Sequence, residues 1–255
     1  MHSHRQEDTS NGIILYRGKG QANLRRAELR HHCLSYCLSA ILTIVCFHTA
    51  VANDSSDPAE TRPRIVAFGD SLTAGLGVNR DDAYPAQLQR RLDELDYRYR
   101  VINAGVSGET TAGGLRRVPW VLGSKPDVVI LELGGNDGLR GLSLEQTKRN
   151  LSRIIEQLRQ AGATIILAGM KLPPNYGQDY IRGFEVIYSD LARHYELAFI
   201  PFFLEGVAAS PALNQADGIH PTREGYRIVV EQVLKALAPV LHARAKKSQA
   251  THGGN

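Results

Sequence analysis

Ser71 stands where an apolar run stops and small residues begin, in the segment VAFGDSLTAGLG at 66–77. A serine hydroxyl becomes a nucleophile when a base accepts its proton, and histidine suits that role at neutral pH. His220 is the best candidate for the base, because it lies in the loop-like stretch ADGIHPTREGY. The other histidines beyond residue 52 lie in a predicted helix or a basic C-terminal segment: His194, His242 and His252.

Asp217 stands three residues before His220. In one loop, its carboxylate can reach the second imidazole nitrogen, fix the tautomer and stabilise the imidazolium that forms during proton transfer. Asp is also a common turn residue, so a purely structural role for Asp217 stays open at this point. Ser71, His220 and Asp217 are therefore the candidate catalytic residues.

Acyl transfer also needs hydrogen-bond donors aimed at the oxygen that becomes negative. The backbone N–H of Ser71, the backbone N–H of Gly105 in NAGVSGET and the side-chain amide of Asn136 in LGGND are the candidates. Gly-Gly and Asn-Asp are strong turn formers, and a glycine-rich strand-to-helix connection would explain Gly105 equally well. Together with the segment that carries His220, these are four segments that each follow an apolar run, which favours a shared site over four unrelated turns.

Apolar runs of strand length alternate with amphipathic segments of helix length from residue 64 onward. The predicted strands are Arg64–Phe68, Tyr99–Asn103, Asp127–Leu133, Thr164–Ala168 and Ala198–Pro201. The predicted helices are Ala83–Leu95, a shorter one within Thr110–Leu122, Ser143–Ala161, Gln178–Glu196 and Arg223–Leu241. Strands rich in Val, Ile and Leu without alternation are typical of a buried parallel sheet. The sequence predicts an α/β fold, a three-layer α/β/α sandwich with about five parallel strands.

The predicted fold gives the candidate residues a common location. In open α/β sheets, ligands bind outside the carboxyl ends of the strands. Ser71, Gly105 and Asn136 each follow a predicted strand directly. The sheet therefore brings them to one edge.

The first 52 residues have the pattern of a secretory signal peptide. Three arginines precede the apolar run CLSYCLSAILTIVCF at 33–47, and Ala50-Val51-Ala52 offers a small-residue cleavage site. We expect cleavage after Ala52 and export to the periplasm or the medium, with membrane contact through this leader or a lipid substrate. A retained anchor and a buried helix are the alternatives.

Charge and cysteine content exclude several classes of protein. All three cysteines lie before residue 52, so the exported chain would have no disulfide and no thiol nucleophile. The leader holds six of the 30 Lys/Arg and three of the 26 Asp/Glu, which leaves the remainder nearly neutral. The sequence shows no basic surface interleaved with aromatic residues, so it gives no sign of nucleic-acid binding. We divide the chain into a leader at 1–52, one folded domain at 53–241 that contains all candidate site residues, and a disordered basic tail at 242–255.

Four segments together resemble the conserved blocks of the SGNH, or GDSL, hydrolases: GDSL at 69–72, Gly105, GGND at 134–137 and DGIHP at 217–221. The resemblance covers residues 64–241. It implies a flavodoxin-like SGNH hydrolase fold, a Ser71–His220–Asp217 triad and an oxyanion hole from Ser71, Gly105 and Asn136, with no metal or cofactor. The segments NAGVSGETT, LELGGNDGLRG and LPPNYG resemble the bacterial branch that acts on aryl esters, acyl-CoA and lysophospholipids.

The resemblance also implies that the segments at 137–142 and 170–177 wall an acyl-binding groove. Leu139, Leu172, Pro173 and Tyr176 are the candidate substrate-binding residues. We expect a monomer acting on small acyl esters or thioesters. A carbohydrate O-deacetylase of the same family is the alternative enzyme. A nucleotide-binding module is the alternative of another class, but no G-x-G-x-x-G follows the first strand, and neither a G-x-x-x-x-G-K-[ST] nor a metal-binding H-E-x-x-H motif occurs.

Overall fold

The structure, a computed structural model, describes residues 62–252 and contains one sheet of five parallel strands. Each predicted strand is present, with bounds within two residues of the prediction. The strands are β1 (Arg64–Gly69), β2 (Arg100–Gly105), β3 (Val128–Glu132), β4 (Thr164–Ala168) and β5 (Ala198–Ile200). Their order in the sheet is β2-β1-β3-β4-β5.

Helices cover the two faces of the sheet. They are α1 (Ser71–Ala74), α2 (Tyr84–Glu94), α3 (Thr111–Gly123), α4 (Gly135–Leu139), α5 (Leu144–Gln160), α6 (Gln178–His194) and α7 (Arg223–His252). Right-handed crossovers place α2 on one face and α3, α5 and α6 on the other. Because α7 packs against α2, it completes the first layer. The three-layer α/β/α prediction is confirmed.

The three central strands β1, β3 and β4 are buried on both faces because they are apolar without alternation, whereas the edge strands β2 and β5 are only partly buried. Every residue of β3 is buried, and so is every residue of β1 after Arg64. The apolar stripe of α5 packs on this sheet through Leu151, Ile154, Ile155 and Leu158, all fully buried. The core therefore fixes the strand ends rigidly.

The strand order reverses direction between β1 and β3. The chain steps from β1 outward to β2, and then returns past β1 to β3. Such a switch point leaves a crevice at the carboxyl ends of the two strands, which is where ligands bind in this class of sheet. Ser71 follows β1, and Asn136 lies four residues after β3.

The helix α7 continues to His252, so residues 242–252 of the expected disordered tail are helical, while 253–255 lie outside the described residues. Arg244 donates to Asp127 Oδ1 at 2.6 Å and to Thr164 Oγ1 at 3.1 Å, and His242 Nε2 lies 2.7 Å from Tyr97 Oη. The sequence beyond Leu241 has no apolar periodicity, so the prediction ended the helix there. Polar contacts extend it instead, aided by the high helix propensity of Ala, Arg, Lys and Gln.

The predicted leader and its boundary at residue 53 lie outside the described residues. Within 62–252, no helix combines the length and the apolar character that a bilayer span requires.

Candidate active site

Ser71 is the first residue of α1, directly beyond the end of β1. Asp70 caps this helix, because its Oδ1 accepts a hydrogen bond from Leu72 N at 3.0 Å. Gly75 ends it in the left-handed conformation, at a φ of 83°. A side chain at Gly69 would lie 2.6 Å from the backbone oxygen of Glu132, so only glycine permits the sharp exit from the sheet. The turn that carries Ser71 is therefore fixed at both ends.

His220 reaches Ser71 from the other end of the chain. Its Nε2 lies 2.8 Å from Ser71 Oγ, although 149 residues separate the two in sequence. Ser71 is only 8% exposed, which shields the pair from water. The other described histidines have different partners, since His194 packs against the ring of Tyr195 and His242 binds Tyr97. The geometry suits proton transfer from Ser71 to His220.

Asp217 holds the opposite side of the imidazole. Its Oδ2 lies 2.6 Å from His220 Nδ1, and its Oδ1 accepts from the backbone N–H groups of His220 at 3.0 Å and Ile219 at 2.9 Å. The backbone bond from His220 is the main reason that the pKa of Asp217 is lowered to about 2. The carboxylate thus both shapes the turn and orients the His220 imidazole, so the two interpretations of the D-x-x-H spacing are compatible.

Gln215 anchors the segment that carries His220. Gln215 N donates to the carbonyl of His220 at 2.8 Å, and its side-chain amide donates to the carbonyl of Leu76 at 2.7 Å. Leu76 lies just beyond α1. Contacts with backbone carbonyls therefore hold His220 and Ser71 together, in addition to their own hydrogen bond.

Gly105 is the last residue of β2 and pairs with Gly69 of β1. A Cβ at this position would lie 2.6 Å from Thr73 C and 2.7 Å from Ala74 Cα, so α1 packs directly on the glycine backbone. Gly105 N–H donates to Asn103 Oδ1 at 2.9 Å. Asn103, which the sequence did not single out, therefore occupies this candidate oxyanion donor, and its side chain has to turn away to release it.

Asn136 lies in the first turn of α4, beyond β3. Its side-chain amide nitrogen donates to Asp70 Oδ2 at 2.9 Å. The neighbouring Asp137 turns the other way and accepts from Thr111 N at 2.8 Å and Thr111 Oγ1 at 2.6 Å. Asp137 therefore ties its loop to α3. An amide nitrogen carries two protons, so Asn136 retains one for a ligand.

Glu132 is a fully buried carboxyl behind this site, which the sequence missed because it ends an apolar strand. Its Oε2 accepts from Thr73 Oγ1 at 2.8 Å and from Asp70 N at 3.3 Å. Burial is the main cause that raises the pKa of Glu132 well above its usual range, and the nearby Asp70 adds to it. Burial likewise raises the pKa of Asp70 to about 6.

An apolar groove of about 440 Å³ opens beside α4. Leu139, Leu172 and Pro173 line it, as the resemblance implied. Tyr176 does not line it; its hydroxyl instead donates to the carbonyl of Leu139 at 2.8 Å and braces the wall from outside. The remaining apolar lining comes chiefly from Met170, Phe202, Leu204 and Ile219.

Among residues 62–252, no three His, Cys, Asp or Glu side chains cluster closely enough to hold a metal ion.

Comparisons with known proteins agree with the geometry. The profile of the GDSL-like lipase/acylhydrolase family matches residues 67–228. Esterase TesA of Pseudomonas aeruginosa is 44% identical over 178 residues, which are 69% of this chain and 89% of that protein. Thioesterase 1/protease 1/lysophospholipase L1 of Escherichia coli is 38% identical over 179 residues, covering 70% and 85%. The crystal structure of AlinE4, an SGNH-hydrolase family esterase, superposes with a TM-score of 0.60 at 48% identity, covering 71% and 97%.

Proposed function

The chain belongs to the GDSL-like lipase/acylhydrolase family and is an esterase, and we propose that Ser71 is the nucleophile through which it cleaves carboxylic esters and thioesters. The observation that carries this assignment is the chain of contacts from Ser71 Oγ to His220 at 2.8 Å and from His220 to Asp217 at 2.6 Å. Nucleophile, base and orienting carboxylate are in the order that acyl transfer requires.

The reaction proceeds in two matched halves. His220 Nε2 takes the proton of Ser71 as Oγ attacks the acyl carbon, and Asp217 stabilises the imidazolium. The imidazolium then gives its proton to the departing alcohol or thiol as the C–O or C–S bond breaks, which leaves an acyl group on Ser71. Water repeats the sequence: His220 accepts its proton, the hydroxyl attacks the acyl carbon, and Ser71 leaves with the proton returned.

We assign charge stabilisation to the N–H groups of Ser71 and Gly105 and to the side-chain amide of Asn136. A single such donor is worth about 10² to 10³ in rate. Gly105 contributes once Asn103 has released it. No metal or cofactor is needed for any step.

The groove supports an apolar acyl chain as the preferred substituent. Leu139, Leu172 and Pro173 present carbon atoms to it and leave room for more than an acetyl group. A pocket of this kind discriminates by only about 1 to 3 kcal/mol per methylene, so we expect broad activity on aryl esters, acyl-CoA and lysophospholipids. The names of the relatives from Pseudomonas aeruginosa and Escherichia coli are consistent with this range.

We also propose export of the chain as a monomer after cleavage near Ala52. The apolar run with its arginine flank supports export. Intact-mass measurement of the protein from a periplasmic or culture fraction tests the cleavage. A mass that includes residues 1–52 would contradict it.

A substrate panel tests the proposal as a whole. Initial rates on p-nitrophenyl esters of increasing chain length, acyl-CoA, lysophospholipid and acetylated sugar are compared with those of Ser71→Ala. We expect loss of all activities in Ser71→Ala and His220→Ala, with retention in the matched variant His194→Ala. A preference for acetylated sugar would instead favour the deacetylase. Full activity of Ser71→Ala would overturn the mechanism.

A further inference from the structure

We propose that Asp70 is a positioning residue for the hydrolysis, whose ionised carboxylate aims the Asn136 amide at the reacting carbonyl while it caps the helix that carries Ser71. The inference rests on the proposed function, since it assigns Asn136 to the oxyanion. In this proposal, one buried side chain positions both the nucleophile and an oxyanion donor.

The contacts of Asp70 link the two sides of the crevice. Oδ2 accepts from Asn136 Nδ2 at 2.9 Å, and Oδ1 accepts from Leu72 N at 3.0 Å in the first turn of α1. Asp70 is 2% exposed, so water does not compete for either oxygen. Because Asp70 follows β1 and Asn136 follows β3, their contact fixes the spacing across the point where the strand order reverses.

Both ends of the Asn136 amide are held. Its nitrogen faces Asp70, and its oxygen lies 3.4 Å from Nη2 of Arg140, which also donates to the carbonyl of Gly108 at 2.9 Å. The amide therefore has one orientation, with one N–H on Asp70 and the second N–H left for a substrate oxygen. An oxyanion donor that is already oriented needs no reorganisation during the reaction.

A carboxylate suits this position better than other side chains. It is an acceptor at both oxygens, so it can satisfy Leu72 N and Asn136 Nδ2 together. An asparagine could still cap α1 through its oxygen, but its NH₂ would then face the NH₂ of Asn136. Hydrogen bonds to a charged acceptor are also shorter and stronger than neutral ones.

Of the two neighbouring carboxyls, Asp70 rather than Glu132 carries the negative charge. Two adjacent buried carboxyls resist joint ionisation, and Glu132 is fully buried with a strongly raised pKa. Asp70 is favoured as the charged member by its bonds from Leu72 and Asn136 and by the nearby His220. The negative charge of Glu109 acts in the opposite direction, because it raises the pKa of Asp70. Glu132 thus serves as a matched control, because it shares the cluster but does not contact Asn136.

A double-mutant cycle tests the inference in the full-length chain. We expect Asn136→Ala to lower kcat by about 10² to 10³. Asp70→Asn keeps the cap and should lower kcat by about 10- to 100-fold, with KM within about twofold, because misaligning the donor affects the transition state. In the Asn136→Ala background, Asp70→Asn should change kcat by less than about threefold.

The possible outcomes separate the two proposals. An equal loss from Asp70→Asn in both backgrounds would show that Asp70 acts through α1 alone, and unchanged kcat in Asp70→Asn would also overturn the inference. Full activity of Asn136→Ala would instead refute the oxyanion assignment. Glu132→Gln should stay within about threefold of the parent. Asp70→Ser, which can also cap a helix but has no second acceptor, provides an independent variant with the same expected loss of kcat.

Discussion

Gly105→Ala should displace the helix that carries Ser71, although it changes the identity of no catalytic side chain. The added Cβ would lie 2.6 Å from Thr73 C and 2.7 Å from Ala74 Cα. Carbon atoms pack at about 3.5 to 4.0 Å, so the backbone of α1 has to retreat by about 1 Å. Both contacted atoms are backbone, so a side-chain rotation cannot relieve the overlap.

The size of the effect follows from that displacement. A misplacement of about 1 Å in the reacting groups costs roughly 10²-fold in rate. Overpacking of this kind costs about 1 to 3 kcal/mol of stability, which lowers Tm by about 2 to 12 °C in a domain of this size. We therefore expect kcat for a p-nitrophenyl ester to fall about 100-fold in a protein that still folds at 25 °C.

Gly123→Ala is the matched control. Gly123 ends α3, and a Cβ there would meet no atom within 4 Å. Its kcat and Tm should equal or slightly exceed those of the parent. If Gly105→Ala keeps kcat within about threefold of the parent, the reasoning that β2 fixes the position of Ser71 through this glycine is refuted.

Three other predictions concern charge and the groove. Burial raises the pKa of Asp70 to about 6, above the usual range of an aspartate, so ionising this carboxyl costs the folded state stability. As the pH rises from 4 to 7, the parent should therefore lose on the order of 3 kcal/mol of unfolding free energy relative to Asp70→Asn, measured by urea unfolding. A pH-independent difference between the two proteins would contradict this. Asp217→Asn should lower kcat on the order of 10³-fold, because the carboxylate no longer stabilises the imidazolium, and a loss below tenfold would exclude that role. Leu172→Ala should shift the preferred p-nitrophenyl ester toward longer chains, whereas Tyr176→Phe should leave the profile unchanged. Identical profiles for Leu172→Ala and the parent would remove Leu172 from the groove.

The sequence predicted the sheet well because each strand is a short apolar run between polar turns. Burial on both faces removes the need for alternation, and strand bounds such as Thr164–Ala168 were predicted without error. The short helices α1 and α4 were missed, since four or five residues are too few to show a helical period. The continuation of α7 beyond Leu241 was missed because polar contacts such as Arg244 to Asp127 leave no apolar pattern.

The candidate site residues could be predicted where their position after a strand, or the lack of another role, singled them out. Ser71, Gly105 and Asn136 could be grouped because each follows a strand, and His220 because the other histidines had better explanations. The contact between Asp70 and Asn136 could not be predicted, since it depends on β1 and β3 being neighbours in the sheet. The contact of the Tyr176 hydroxyl with the carbonyl of Leu139 could not be predicted either, because the spacing of a loop does not reveal which side chains turn inward.

Covalent labelling of the nucleophile tests the central claim most directly. A fluorophosphonate phosphonylates an activated serine with loss of fluoride, and peptide mass mapping then locates the adduct. We predict a single adduct on Ser71, a large loss of labelling rate in His220→Ala, and no adduct at this position in Ser71→Ala. An adduct on another residue that accompanies complete loss of esterase activity, with Ser71 unmodified, would contradict the account.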